Sequence, residues 1–146
     1  MIYDRADWHY LGDYPDDLPP QNGGTHIGIF FAWLVNQKME SEQQDIEHSA
    51  ELEAIRARSI SGREFIAKMR DGELADIDMN KAANAFALAY YDSNLYFEDY
   101  AQILVGEKSS LYHVDDTWEN YDLMAERIAE RYVAWQKKQR AWWRFW

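Results

Sequence analysis

A chain of 146 residues with no cysteine, 26 acidic and 15 basic residues carries a net charge of −11. Its length suits one domain. The lack of cysteine excludes disulfides, thiolate zinc sites and a cysteine nucleophile, and an acidic surface repels phosphate, which argues against nucleic-acid binding and for a basic protein partner.

Residues 1–24 read as an irregular arm, because all three prolines (Pro15, Pro19, Pro20) and Gly12, Gly23 and Gly24 lie there. Its Tyr3, Trp8, Tyr10 and Tyr14 suggest an arm that packs down on the body. Met1-Ile2-Tyr3-Asp4 has neither the basic stretch nor the apolar core of a signal peptide. The longest apolar run, Ile27 to Val35, is short of the about 20 residues that a bilayer needs. With cysteine absent, the expectation is a cytoplasmic protein with no membrane association.

From Thr25 the pattern turns helical. Thr25 is placed to cap a helix running to Asn36, apolar almost all round through Ile27, Phe30, Phe31 and Leu34, hence central and buried. Residues 37–47 are polar and read as a loop, followed by a short helix marked by Leu52, Ile55 and Ile60. Ser61 and Glu64 form a capping box for a helix that Gly72 ends. Asn80 caps the next helix through Tyr90, Asp92-Ser93-Asn94 breaks it, and Tyr96 to Leu104 form another that ends at Gly106. The last helix opens on Asp116-Thr117-Trp118-Glu119 and carries Trp118, Tyr121, Ala125, Ile128, Tyr132 and Trp135 at alternating spacings of three and four. The fold class is mainly α: a single-domain helical bundle over residues 1–146, with an arm (1–24), a helical body (25–136) and a basic tail (137–146). A short strand pair in the arm is a minor alternative.

The tail holds Lys137, Lys138, Arg140 and Arg144 and no acid, so the rest of the chain carries −15. Trp142, Trp143, Phe145 and Trp146 alternate with those bases. Anionic lipid would repel the acidic body, so packing against the body or in a homodimer is favoured over membrane anchoring, with Gln139, Trp142 and Trp146 extending the seam.

Among the four histidines no pair has the spacing of a helical zinc site. His9 and His26 beside Asp13 offer a facial metal site or an acid–base pair. The plainer reading makes each a structural tie that holds the arm, so no metal and no cofactor is assigned; His48, between Glu47 and Glu51, is placed on the surface. Gly23-Gly24-Thr25-His26-Ile27-Gly28 lacks the lysine of a phosphate loop and follows no strand pattern; its glycines are read as a turn, with Gly28 letting the arm approach. No G-x-S-x-G elbow supports acyl transfer.

Three segments carry a family likeness: Trp8-His9-Tyr10-Leu11-Gly12-Asp13-Tyr14-Pro15, Thr25-His26-Ile27-Gly28-Ile29-Phe30-Phe31-Ala32-Trp33, and Leu111-Tyr112-His113-Val114-Asp115-Asp116-Thr117-Trp118-Glu119-Asn120-Tyr121. With Asn84-Ala85-Phe86-Ala87 and Tyr90-Tyr91-Asp92 between them, the chain resembles a family of small bacterial proteins of unknown function, often encoded near secreted polymorphic toxins. The resemblance runs through residues 3–135 and departs at Leu11, where the family tends to have a second glycine. It implies an immunity protein, not an enzyme, that binds and neutralises a cognate toxin, and it transfers no active site. Asp13, Asp16, Asp17, Asp115, Asp116 and Glu119 are the candidate partner-binding residues. The alternative is a small hydrolase or metal-dependent enzyme using His9, His26, His113 and Asp13.

Overall fold

The computed structural model describes residues 1–143, and its elements are arranged around one buried helix. This helix, α2 (Thr25–Asn36), is buried at every position from Thr25 to Val35. The sequence-derived boundaries hold, but Thr25 is the first helical residue and Gly24 occupies the cap. The Thr25 hydroxyl instead accepts a hydrogen bond from Arg63 at 3.2 Å.

Around α2 lie α3 (Glu42–Arg56), α4 (Gly62–Arg70), α5 (Lys81–Tyr90), α6 (Leu95–Tyr100, continued by a wide turn at Ala101–Val105) and the long α7 (Trp118–Trp143). Phe31 stacks on Phe65 of α4 with ring centres 5.1 Å apart, and Trp33 meets Tyr132 of α7 at 5.4 Å. Phe30 lies within 5.0 Å of Tyr91 and 5.3 Å of Tyr96, so the third face of α2 is aromatic too. The α2–α4 crossing is close because both helices place glycine there. A Cβ on Gly28 would stand 2.1 Å from the backbone nitrogen of Arg63, and one on Gly62 would stand 1.9 Å from the Gly28 carbonyl oxygen. Gly28 therefore serves α4, not the arm.

The capping box of α4 and the Asn80 cap of α5 form as the sequence implies. Residues 42–47, predicted as loop, are instead the first turns of α3, capped by the Ser41 hydroxyl. The helix kinks at His48, whose φ of −135° breaks the ladder. That kink points the His48 ring at the edge of Phe65, 5.8 Å away, so this histidine is half-buried rather than a surface residue.

The arm is more regular than its prolines suggest. Residues Ile2–Arg5 form β1, which pairs antiparallel with β2 (Glu73–Ala75), and Ala6–Tyr10 form a one-turn helix, α1. Proline and glycine confine the irregular stretch to residues 11–19, after which a 3₁₀ turn at Pro20–Gly24 leads into α2. On α7, Tyr121, Met124 and Ile128 are buried, while Trp118, Tyr132 and Trp135 pack partly exposed against the same core. Beyond Trp135, Gln139 is exposed where the expected extension would have it packed, and Trp142 is 56% exposed. The part of that expectation resting on Arg144, Phe145 and Trp146 lies outside the described residues.

Candidate functional site

Two features stand out, a polar cluster beneath the arm and an apolar face above it. Both are set by β1 and α1. In a regular strand, successive side chains point to opposite faces, yet Tyr3 and Asp4 are both buried. The pairing is irregular between Ile2 and Asp4, and such a bulge re-aims a side chain, here the Asp4 carboxylate, into the protein. The chain then turns directly into α1, held by Ala6 N–H donating to the Gly72 carbonyl at 2.9 Å. Gly72 is required at that contact, since it has φ of +81° and a Cβ on it would stand 3.1 Å from that of Ala6.

On α1, His9 turns inward and Trp8 outward. His26, on the first turn of α2, is 1% exposed. The Nε2 atoms of both histidines meet the Asp4 carboxylate: His9 Nε2 lies 2.8 Å from Oδ1, His26 Nε2 lies 3.0 Å from Oδ2, and the two nitrogens are 3.2 Å apart. Asp4 also accepts from the Tyr91 hydroxyl at 2.6 Å and from the Arg5 backbone N–H at 2.8 Å. The Tyr112 hydroxyl is 2.7 Å from His9 Nδ1, and Tyr96 donates to the His26 carbonyl at 2.6 Å. Burial pushes the Asp4 carboxyl up, but hydrogen bonds and charge from His26 and His9 outweigh it and hold the group well below the usual carboxylate range. Burial lowers His26, against the pull of Asp4. The cluster thus sets a carboxylate whose partners favour its charged form against an imidazole whose burial disfavours its own.

His9 and His26 come together as the sequence analysis allowed, but their carboxylate is Asp4, not Asp13. Asp13 is exposed in the loop after α1. His113 stands elsewhere, with Nε2 3.1 Å from Asp17 and Nδ1 2.8 Å from the Ser110 hydroxyl. The His9, His26, His113 and Asp13 set of the enzyme alternative is therefore not assembled. Of the partner-binding candidates, Asp16, Asp115 and Glu119 are exposed, and the Asp17 side chain is 70% exposed beside His113. Asp116 is engaged inside the protein, accepting from the Ser61 hydroxyl at 2.6 Å and paired with Arg63 at 3.2 Å.

The apolar face was not foreseen. Trp8 is 56% exposed and Leu11 77% exposed, and with Ile2, Arg5, Asp7 and Gly12 they line an open groove. Arg5 is fixed there by Asp7 and Glu73, each 2.9 Å away. The loop that follows carries the exposed Asp13, Asp16 and Asp17.

The signature of the family described as "Domain of unknown function (DUF7832)" matches residues 2–114. The chain belongs to this family. No curated protein and no solved structure matches it. The DUF7832 segment holds β1, α1, both histidines of the cluster and the apolar face, and it ends before Asp115, Asp116, Glu119 and α7.

Proposed function

We propose that this DUF7832 protein is a binding module for a basic protein partner, acting as an immunity protein that neutralises a cognate toxin domain. The observation that carries this reading is Trp8, left 56% exposed on a helix whose neighbours are pinned down. Tryptophan at the centre of an interface contributes disproportionately to affinity. Leu11 and Ile2 widen the apolar area, and exposed apolar area beside a polar rim marks a contact surface. Arg5 and Asp7 are the polar groups of that groove, and the loop after Gly12 carries the exposed Asp13, Asp16 and Asp17, whose charge favours fast association with a basic partner.

The test is direct. The neighbouring reading frames are searched for a secreted toxin, any toxin domain found there is mixed with the purified protein, and the complex is followed by calorimetry and by protection of toxin-expressing cells. Trp8→Ala is expected to weaken binding by about thirtyfold or more, the effect of losing about 2 kcal/mol at a central anchor, with thermal stability unchanged because the ring is largely exposed. Wild-type affinity in both Trp8→Ala and Leu11→Ala would remove this face as the binding surface.

A further inference from the structure

We infer that Asp4, His9 and His26 form a binding site for one divalent transition-metal ion, of which zinc is the probe, that staples β1 and α1 to α2. This inference stands whether or not the apolar face binds a toxin.

One ligand atom from each of the three residues lies within 4.8 Å of the others. In a tetrahedral zinc site with metal–nitrogen bonds of about 2.0–2.1 Å, two ligating nitrogens stand about 3.3 Å apart. His9 Nε2 and His26 Nε2 are 3.2 Å apart. Two histidines and one carboxylate are a donor set that suits zinc or iron and leaves room for water or another ligand.

The contacts themselves point the same way. Two imidazole nitrogens that both donate to the carboxylate, at 2.8 and 3.0 Å, bring two N–H groups face to face across 3.2 Å, whereas a cation between the three residues meets one lone pair from each. The surroundings suit that role: Tyr91 and the Arg5 N–H orient the carboxylate, and the Tyr112 hydroxyl accepts from His9 once Nδ1 carries the proton. His26 Nδ1 has no partner among the described residues in either state, so it does not weigh between them.

The experiment uses the full chain, stripped with a chelator and dialysed, then titrated with zinc chloride by calorimetry and melted with and without the ion. One zinc per chain is expected, with melting raised by about 5–10 °C at a hundredfold excess over Kd; magnesium should do neither, since nitrogen ligands disfavour it. Cobalt(II) should give ligand-field absorption bands in the wild-type protein, a readout that requires no variant to fold. His9→Gln keeps a polar donor at a partly exposed position and should weaken zinc binding at least a hundredfold. His113→Ala, at the surface pair with Asp17, should leave it unchanged. Absence of stoichiometric zinc binding, undiminished binding in His9→Gln, or loss of binding in His113→Ala would each overturn the site.

Discussion

Among the described residues Asp4 has four hydrogen-bond partners, the Nε2 atoms of His9 and His26, the Tyr91 hydroxyl and the backbone N–H of Arg5. Deleting such an acceptor leaves several buried donors without partners, each costing about 1–3 kcal/mol. Asp4→Ala is therefore expected to lose at least about 3 kcal/mol in metal-free buffer, measured by urea denaturation; a loss under 1 kcal/mol would mean the cluster does not hold the arm. Asp4 was also the least legible of the site residues. Two histidines announce themselves in any sequence, but the partner carboxylate is chosen by a bulge in a four-residue strand, and no spacing records a bulge. Glycine gives a second residue-scale contrast. At Gly28 an added methyl meets Arg63 backbone at 2.1 Å, whereas at Gly106 it meets nothing among the described residues within 4 Å and only the φ of +53° objects. Gly28→Ala should cost roughly 3 kcal/mol or more, by overpacking two backbones that cannot part without opening the core. Gly106→Ala should cost about 1–2 kcal/mol, from backbone strain alone. Equal costs in thermal melts would contradict the tight crossing.

At the scale of elements, the sequence revealed what local chemistry decides. Caps at Ser61 and Asn80 name their helix starts because the capping bonds are made within three residues, and the three–four seam of α7 finds the core at Tyr121 and Ile128. Where a distant segment decides, it offered only a strand pair within the arm as a minor alternative and did not name the partner strand outside it. The strands β1 and β2 have four and three residues, too short to alternate visibly, and they pair across almost seventy positions of chain. The first half of α3 is solvated and its periodicity is interrupted by the kink at His48, so polarity there imitated a loop. The α6–α7 contact shows how packing and charge combine. Asp99, 2% exposed, takes hydrogen bonds from Arg131, Arg127 and Tyr90, all at 2.8 Å. Burial raises its carboxyl, but these partners together hold it below the ordinary aspartate range. Because its native value lies below the unfolded one of about 3.9, its contribution is complete above that value and is lost as pH falls through the lower native one. Melting temperature should thus drop more steeply from pH 5 to pH 3 in the wild type than in Asp99→Asn; parallel curves would show that Asp99 carries no linked stability.

For the molecule as a whole, the acidic balance is an argument about encounter rather than about fold. Its effect on a partner depends on which carboxylates are free to act. Asp116 is spent on Ser61 and Arg63, and Asp17, though 70% exposed, also pairs with His113, so reversing either would confuse docking with stability. Asp13 and Asp16 are exposed on the loop that follows α1, and a change of their sign should leave folding intact. If the partner is basic, the pair Asp13→Lys and Asp16→Lys should slow association about tenfold or more at low salt while altering dissociation much less, because rim charges act on diffusional approach. Raising salt to physiological strength shrinks the Debye length to about 8 Å and should slow the wild type toward the double variant. Trp8→Ala should do the reverse, speeding dissociation with little change in approach, since a central anchor acts after contact. Stopped-flow kinetics separate the two. An association rate indifferent to salt and to both reversals would leave the face apolar in function as well as in composition, and would remove charge from the account of how this protein finds its partner.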